Sequence, residues 1–237
     1  MRVLVVTAVP VERDAVTRAF GGPEERLALP GAELHRRGAF DVLASGAGPA
    51  AAAAATAFAL ASGASASAPY GLVVSAGIGG AFTPVTPLGS LIVADGIVAA
   101  DLGAETADGF LPVTALGFGR DRFTPPPALV REVAAATGAA AGPVLTVSTV
   151  TGSAERAGAL LAAHPGALAE AMEGFGVAEA AARADVPVLE VRAVSNAVGP
   201  RDRDAWRIGD ALAALTDAFG KAAPVLEGWN SHEDLEG

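Results

Sequence analysis

Short runs of branched apolar residues alternate along this chain with longer, alanine-rich stretches. Glycine or proline bounds the apolar runs, as is typical of buried strands, and the alanine-rich stretches are long enough for helices. The predicted strands cover residues 2–9, 41–45, 71–75, 90–99, 143–148 and 187–194. The predicted helices cover residues 11–20, 49–62, 127–137, 154–163, 174–184 and 210–219.

The alternation of strands with helices predicts a layered α/β fold with a mixed or mostly parallel sheet. No linker, repeat or change of composition divides the chain, so we expect one domain over residues 1–228 and a polar C-terminal tail over residues 229–237. In open α/β sheets, ligands bind beyond the carboxyl ends of the strands. The candidate site residues therefore follow predicted strands: Glu12, the run Ser75-Ala76-Gly77-Ile78-Gly79-Gly80, the run Thr149-Val150-Thr151-Gly152, and the pair Ser195-Asn196.

Composition narrows the function classes. The 237 residues carry a formal net charge of -10, which argues against nucleic acid as a partner because a negative surface repels phosphates. The longest apolar stretch, residues 49–61, is mostly alanine and is shorter than the roughly 20 residues that span a bilayer, so no membrane partner is expected. Because the chain has no cysteine, disulfides and thiolate chemistry are excluded, and a reducing, cytoplasmic location is expected.

Two familiar cofactor motifs do not fit. Residues 46–51 match the G-x-G-x-x-A dinucleotide fingerprint, but residues 42–94 contain no Asp or Glu that could hold the ribose. The glycines of this run are expected to serve a tight turn or a close approach to a small ligand. The lone lysine, Lys221, rules out a phosphate-binding P-loop and disfavours a Schiff-base enzyme.

Histidine chemistry is also disfavoured. His35, His164 and His232 lack the spacing of metal ligands, so no metal site is expected. Ser75 lies in a run that is one glycine short of a nucleophile elbow, and no histidine is an obvious partner for it. Carboxylates and amides therefore remain as the available catalysts.

Three polar residues then become the candidates for chemistry. Glu12 lies in the first turn of a predicted helix, Glu173 directly precedes another, and Asn196 follows a predicted strand. Each also has a purely structural interpretation, as a helix-start carboxylate or as a turn residue. None of the three identifies a reaction by itself.

The order and spacing of several short segments carry a resemblance over nearly the whole chain. Together the segments resemble the nucleoside phosphorylase and nucleosidase superfamily, and the last of them, with Trp206, is most similar to the futalosine hydrolase family. The segments are Val5-Val6-Thr7-Ala8 with Glu12, residues 75–80, Met172-Glu173-Gly174, residues 191–196, and residues 195–202. The resemblance implies a three-layer αβα sandwich around a central mixed, mostly parallel sheet, and an enzyme that cleaves an N-glycosidic bond without a cofactor.

The same resemblance implies a role for each matching residue. Glu173 would accept hydrogen bonds from the ribose hydroxyls and stabilise the cationic sugar of the transition state. Glu12 would activate the attacking water as a general base, and Asn196 would donate to the leaving purine. Met172 would pack against the ribose. The remaining expected substrate contacts near the sugar and base are Ser75, Ala76, Gly77, Thr149, Val150, Thr151 and Ser195.

Asn196 also carries information about the substrate. Adenine nucleosidases of the superfamily have an aspartate at this position, whereas a 6-oxopurine presents two acceptors that an uncharged amide can serve. Asn196 therefore predicts hypoxanthine or guanine as the base. Many adenine nucleosidases also have a second glutamate where Ala171 stands, so the contacts with the sugar hydroxyls are expected to differ.

The first loop distinguishes water from phosphate as the attacking group. Phosphorylase relatives place a Gly-Asp-Pro loop and arginines around the anion, whereas here the loop reads Val9-Pro10-Val11-Glu12. A carboxylate at this place would repel phosphate, which favours hydrolysis.

Residues 201–207 form a charged run that is either a lid or a solvated surface loop. If the substrate is futalosine, its carboxylated aromatic end could pair with Arg201 or Arg203 and stack on Trp206 or Phe110. The most specific expectation is thus hydrolysis of futalosine to hypoxanthine and dehypoxanthinyl futalosine, a step of menaquinone biosynthesis. The alternatives are a purine nucleoside phosphorylase, a methylthioadenosine or adenosylhomocysteine nucleosidase, and a nucleoside-binding sensor without catalysis. A homodimer or larger homo-oligomer is expected from the resemblance.

Overall fold

The computed structural model describes residues 1–64, 69–83, 85–107 and 109–229. The strands are β1 (Arg2–Thr7), β2 (Glu25–Leu29), β3 (Ala32–Arg37), β4 (Phe40–Ala44), β5 (Tyr70–Ala81), β6 (Leu91–Ala99), β7 (Gly103–Thr106), β8 (Gly109–Pro112), β9 (Arg122–Phe123), β10 (Ala140–Thr146), β11 (Ala169–Ala171) and β12 (Val188–Ala197). The helices are α1 (Pro10–Thr17), α2 (Pro49–Ala64), α3 (Pro127–Thr137), α4 (Ala154–Ala163), α5 (Gly174–Arg183) and α6 (Ile208–Gly228), with a 3₁₀ turn at Arg203–Ala205.

One mixed sheet organises the molecule, with strand order β2-β3-β4-β1-β5-β12-β6-β10-β11. Neighbouring strands are parallel from β4 through β1 and β5 to β12, and antiparallel between β2 and β3, β3 and β4, and β12 and β6. Strand β11 also pairs with β5, so β5, β12, β6, β10 and β11 close into a barrel at one end of the sheet. Closure removes an exposed sheet edge at this end.

Helices cover both faces of the sheet. Side chains of β1 alternate between the two sides: Leu4 and Val6 pack in the cluster that includes α2 and α5, whereas Val3 and Val5 pack in the cluster that includes α1, α3 and α6. All four of these side chains are fully buried, as the period of two along a strand requires when both faces are covered. The predicted three-layer α/β fold with a central mixed sheet is therefore confirmed.

Two strands are longer than the sequence pattern predicts, and this changes where the site residues lie. Strand β5 ends at Ala81 and β12 at Ala197, so Ser75 to Gly80 and Ser195-Asn196 lie inside strands. Their predicted position beyond the strand ends is wrong, because barrel pairing holds this glycine-rich and polar backbone extended. By contrast, α3 and α4 begin and end at the predicted residues.

The short strands and the C-terminal end also differ from the sequence prediction. The hairpin of β2 and β3, the hairpin of β7 and β8, and the three-residue strand β11 were not predicted. Helix α6 continues to Gly228. Trp229, which was predicted to belong to the polar tail, is buried in the cluster that includes α1, α3 and α6. Residues 230–237 of the predicted tail lie outside the described residues. In the described part, no helix combines the length and apolar character needed to cross a membrane.

Candidate active site

A cavity of about 250 Å³ opens where β1 and β10 end and where β5 and β12 join the barrel. It brings together eight of the predicted site residues from five separate parts of the chain. These are Glu12, Val150, Thr151, Met172, Glu173, Ser195, Asn196 and Trp206.

Backbone amides at the N-terminus of α1 and in β5 hold the Glu12 carboxylate in place. Its Oε2 accepts hydrogen bonds from the amides of Ala8 and Val9, at 3.0 and 3.2 Å, and its Oε1 accepts one from Ile78, at 2.9 Å. Burial raises the pKa of this carboxyl, and the amide of Ile78 and the charge of Arg192 oppose that rise only in part. The result is a rigid carboxylate whose proton affinity is above that of an ordinary glutamate, as a general base requires.

Glu173 enters the same cavity from the start of α5. Its Oε1 accepts from the amide of Gly48, at 3.1 Å, and its Oε2 lies 3.4 Å from Nη1 of Arg192. The Gly48 amide directly precedes α2, so the run 46–51 holds the turn that was one of its two predicted uses, and that turn also positions Glu173. Glu173 is buried and directly precedes the first residue of α5.

Arg192 connects the two carboxylates, although the sequence analysis assigned it no role. It is fully buried on β12; its Nε donates to Glu190 Oε1 at 2.9 Å and its Nη2 to Ser75 Oγ at 3.1 Å. A Cβ atom at Gly77 would lie 2.7 Å from both Arg192 Nη1 and Glu12 Oε1. The missing side chain at Gly77 therefore leaves the space in which the guanidinium and the Glu12 carboxylate face each other.

Arg192 and the glutamates around it interact electrostatically. Burial lowers the pKa of Arg192, but Glu190, Glu173 and Glu12 more than offset this and raise it. Burial raises the pKa of Glu190, against the pull of Arg192. Among the described residues, Arg192 Nη1 and Glu190 Oε2 have no hydrogen-bond partner. The signal in the sequence was the charged pair Glu190 and Arg192, two positions apart in an otherwise apolar strand.

Asn196 presents its amide nitrogen rather than its oxygen to a ligand. The Ser195 hydroxyl donates to Asn196 Oδ1 at 2.8 Å, which fixes the amide. Asn196 Nδ2 donates to the Ala197 carbonyl at 3.0 Å and keeps a second N–H. The site therefore offers a hydrogen-bond donor at this position, held in place by the preceding serine.

Several predicted contact residues do not line the cavity. Ser75 and Ala76 are buried inside β5, and the Ser75 hydroxyl accepts a hydrogen bond from Arg192 rather than facing the cavity. Gly77 is likewise absent from the lining and matters through the space it leaves. Thr149 is exposed beside the lining residue Val150.

The residues predicted to hold the far end of the substrate lie outside the lining, except for Trp206. The guanidinium carbons of Arg201 and Arg203 lie 5.4 and 5.7 Å from the centre of the Trp206 ring. Both arginines are exposed, and Phe110 is exposed on the β7–β8 hairpin. Residues 201–207 thus reach the cavity through the Trp206 ring, against which both arginines lie.

Sequence reasoning also missed Glu170, a buried carboxylate that lines the cavity. Its Oε1 accepts from the Thr151 amide at 2.8 Å and its Oε2 from the Thr151 hydroxyl at 2.5 Å. It lies in β11, whose three residues give no periodic signal. Over the described ranges, no group of three or more His, Asp or Glu side chains is placed to hold a metal ion.

Comparison with known proteins agrees with this geometry. Residues 33–227 match the profile of the Phosphorylase superfamily. A futalosine hydrolase from Streptomyces coelicolor is 68% identical over 234 residues, which cover 98% of this chain and 100% of that protein. The chain belongs to the futalosine hydrolase family. A second member, from Acidothermus cellulolyticus, is 43% identical and covers 91% of this chain and 88% of its own. The predicted family resemblance is thus confirmed.

Solved structures outside the family share its fold. A 5'-methylthioadenosine/S-adenosylhomocysteine nucleosidase from Neisseria meningitidis superposes with a TM-score of 0.80 at 18% identity, over 94% of this chain and 99% of that one. An S-adenosylhomocysteine nucleosidase from Streptococcus pyogenes gives 0.81 at 18% identity, over 95% and 97%. The fold is therefore preserved where most of the sequence has changed.

Proposed function

We propose that this protein hydrolyses the N-glycosidic bond of futalosine and releases hypoxanthine and dehypoxanthinyl futalosine. The observation that carries the proposal is the convergence of Glu12 and Glu173 on one cavity, with Arg192 between them. The near-complete match to futalosine hydrolases supports the choice of substrate.

Glu12 activates the water. Three backbone amides occupy three of its lone-pair positions, two on Oε2 and one on Oε1, so Oε1 keeps a position for one more donor. Arg192 Nη1, which lies 3.4 Å from Glu173 Oε2, has no hydrogen-bond partner among the described residues and lies on the same side of Gly77 as Glu12 Oε1. A water that accepts from Arg192 and donates to Glu12 would be oriented with its lone pair toward the sugar.

The bond changes follow from this arrangement. The water oxygen bonds to C1′ of the ribose while the C1′–N9 bond breaks, and the bonding electrons go to the purine. The proton of the water moves to Glu12 and is then released to solvent, while the purine anion takes up a proton from solvent and leaves as neutral hypoxanthine. Glu173 accepts hydrogen bonds from the ribose hydroxyls and its negative charge stabilises the oxocarbenium-like sugar, with Met172 packed beside it. Asn196 donates its N–H to the purine, which carries the developing negative charge.

The N-terminus of α1 favours water over phosphate as the attacking group. In a phosphate-binding helix start, free amides meet the anion. Here the amides of Ala8 and Val9 already donate to Glu12. A phosphate would lose these donors and would meet a carboxylate instead, so hydrolysis is the reaction that the site supports.

The far end of futalosine is assigned to the charged run. We place its aromatic carboxylate near Arg201 and Arg203, with Trp206 against the ring, because these groups already associate at the cavity edge. We propose a cytoplasmic enzyme of menaquinone biosynthesis with residues 1–228 as one functional domain.

We further propose a homo-oligomer. A group of exposed apolar side chains follows β6 and surrounds the β7–β8 hairpin, and such patches are typical of contact surfaces. The group comprises Leu102, Phe110, Leu111, Leu116 and Phe118. Phe110 would reach substrate across this contact. Light scattering gives the mass in solution, and a monomer would contradict this part.

The experiment that tests the proposal offers futalosine, inosine and methylthioadenosine to the protein, with and without phosphate, and measures released base. We expect fastest release of hypoxanthine from futalosine, independent of phosphate. Turnover that requires phosphate would identify a phosphorylase, preference for methylthioadenosine an adenine nucleosidase, and binding without release a nucleoside sensor.

A further inference from the structure

Glu170 and Asn196 flank the same residue of the barrel. Glu170 of β11 and Asn196 of β12 are both paired with Gly80 of β5, from opposite sides. The register between β5 and β12 shifts between Val194 and Asn196, and two strand spacings separate the backbones of Glu170 and Asn196 by about 10 Å. Both residues line the cavity. A Cβ at Gly80 would lie 3.0 Å from Val198 Cγ2 and 3.1 Å from Asn196 Nδ2, so the glycine leaves room for these two side chains. Glu170 and Asn196 thus line one cavity from the two sides of β5.

The chemistry of the two flanking groups is opposite. Asn196 offers an N–H donor, because Ser195 and the Ala197 carbonyl hold the rest of its amide. Glu170 offers acceptors: Thr151 supplies two donors to its carboxylate, which has about four lone-pair positions. Over the described residues, no arginine, lysine or histidine is within ion-pair distance of Glu170. A buried carboxylate in such surroundings gains from a further donor on the ligand.

A 6-oxopurine matches this pair and an adenine does not. Hypoxanthine carries acceptors at O6 and N7 and a donor at N1–H, whereas adenine carries a donor at N6 and an acceptor at N1. A carboxylate facing N1 accepts a hydrogen bond from hypoxanthine but meets a lone pair of adenine.

We propose that Glu170 is a specificity-determining residue, which accepts N1–H of the 6-oxopurine while Asn196 donates to its opposite edge. The inference rests on the proposed function, since it concerns the base that is released there. Its competitor is a structural role in which Glu170 only holds Thr151 and its loop in place.

The test compares Glu170→Gln with Thr151→Val. The first variant replaces one acceptor oxygen by an amide donor, and the second keeps the carboxylate but removes the hydroxyl that holds it. We measure kcat/KM for futalosine and for its 6-amino counterpart. A site built to bond a polar group rejects the wrong partner by large factors, so we expect Glu170→Gln to lower the ratio of the two values about 100-fold. Thr151→Val should change both values together and leave the ratio unchanged.

A binding experiment keeps the proposal testable if a variant fails to fold. Wild-type protein should bind hypoxanthine at least 10-fold more tightly than 1-methylhypoxanthine, which lacks the N1–H donor. Glu170→Ala, which removes the acceptor and makes room for the methyl group, should bring the two affinities together. Equal affinities in the wild type, or an unchanged kcat/KM ratio in Glu170→Gln, would overturn the assignment. Because free base is the ligand, this result does not depend on whether futalosine is the substrate.

Discussion

Two groups of arginines and carboxylates lie at opposite ends of the central strands, and they differ in how completely their polar atoms are hydrogen-bonded. At the amino ends of β1, β4 and β5, Asp41 accepts from Arg2 at 2.7 Å, from Arg36 at 2.8 and 2.9 Å, and from the Tyr70 hydroxyl at 2.6 Å. Burial alone would raise the pKa of Asp41, but the hydrogen bonds from Arg36, Arg2 and Tyr70 outweigh it and lower that pKa. The carboxylate of Asp41 therefore has no lone-pair position left for a ligand.

The cluster at the cavity is organised in the opposite way. One arginine, Arg192, faces the carboxylates of Glu12, Glu173 and Glu190. Arg192 Nη1 and Glu190 Oε2 lack hydrogen-bond partners among the described residues, and burial raises the pKa of Glu12. A saturated network stabilises the fold, whereas an unsaturated one retains binding and proton-transfer capacity at the expense of stability. The following predictions test whether the two clusters separate these tasks.

The largest effect is expected for Glu12→Gln. Without the general base, kcat for futalosine should fall about 10³- to 10⁴-fold, while the dissociation constant for the substrate changes little. Single-turnover release of hypoxanthine and equilibrium binding measure the two quantities. A fall of less than 10-fold would show that Glu12 is not the base.

Asp41→Asn should have the reverse profile. Removing the charge leaves Arg2 and Arg36 without their shared partner, and we expect a loss of about 3 kcal/mol in the free energy of unfolding. The kcat of the folded fraction should stay at the wild-type value, because Asp41 is remote from the cavity lining. Urea unfolding and activity at low temperature measure the two effects; a large drop in kcat with intact stability would refute the separation.

Asn196→Asp is expected to alter selectivity rather than stability. The aspartate would face acceptors on a 6-oxopurine and could pair with the exocyclic amine of adenine. We expect kcat/KM for futalosine to fall and that for its 6-amino counterpart to rise, with a change of about 100-fold in their ratio. Ser195→Ala serves as a control because it loosens the amide without introducing charge. An unchanged ratio in Asn196→Asp would remove Asn196 from base recognition.

Acidification should separate the two clusters as well. The Glu12 pKa is raised above its ordinary value of 4.5, so the proposed catalytic base becomes protonated as the pH falls through that raised pKa. The Asp41 pKa is lowered below 3.8, so its contribution to stability is complete above 3.8 and is lost as the pH falls through the lowered value. Activity should therefore disappear reversibly while circular dichroism still reports a folded protein. Coincident loss of activity and fold would contradict this order.

The smallest effect is expected at the charged run. Arg201→Ala combined with Arg203→Ala should raise KM for futalosine about 10-fold and leave KM for inosine unchanged, because inosine lacks the carboxylated aromatic end. An unchanged KM for futalosine would show that residues 201–207 form a solvated surface loop that does not contact the substrate.

The sequence predicted the local features of this protein better than the long-range ones. Helices α3 and α4, and the carboxylates Glu12 and Glu173, follow from local periodicity and from short segments in a fixed order. Arg192 received no role from the sequence because its function depends on the carboxylates of Glu12 and Glu173, which the fold brings from two other elements. Glu170 lies in a strand too short to show a pattern and is defined by barrel closure. Closure is a tertiary property, and it also explains the unpredicted length of β5 and β12.

The most direct test follows the origin of the oxygen atom that replaces the purine. Wild-type protein is incubated with futalosine and phosphate in water labelled with heavy oxygen, and the products are analysed by mass spectrometry. Activation of water by Glu12 predicts free hypoxanthine and one heavy oxygen on C1′ of the dehypoxanthinyl product, with no sugar phosphate formed. A sugar 1-phosphate, or intact futalosine after prolonged incubation with folded protein, would contradict the assignment of Glu12 and Glu173 as a hydrolytic pair.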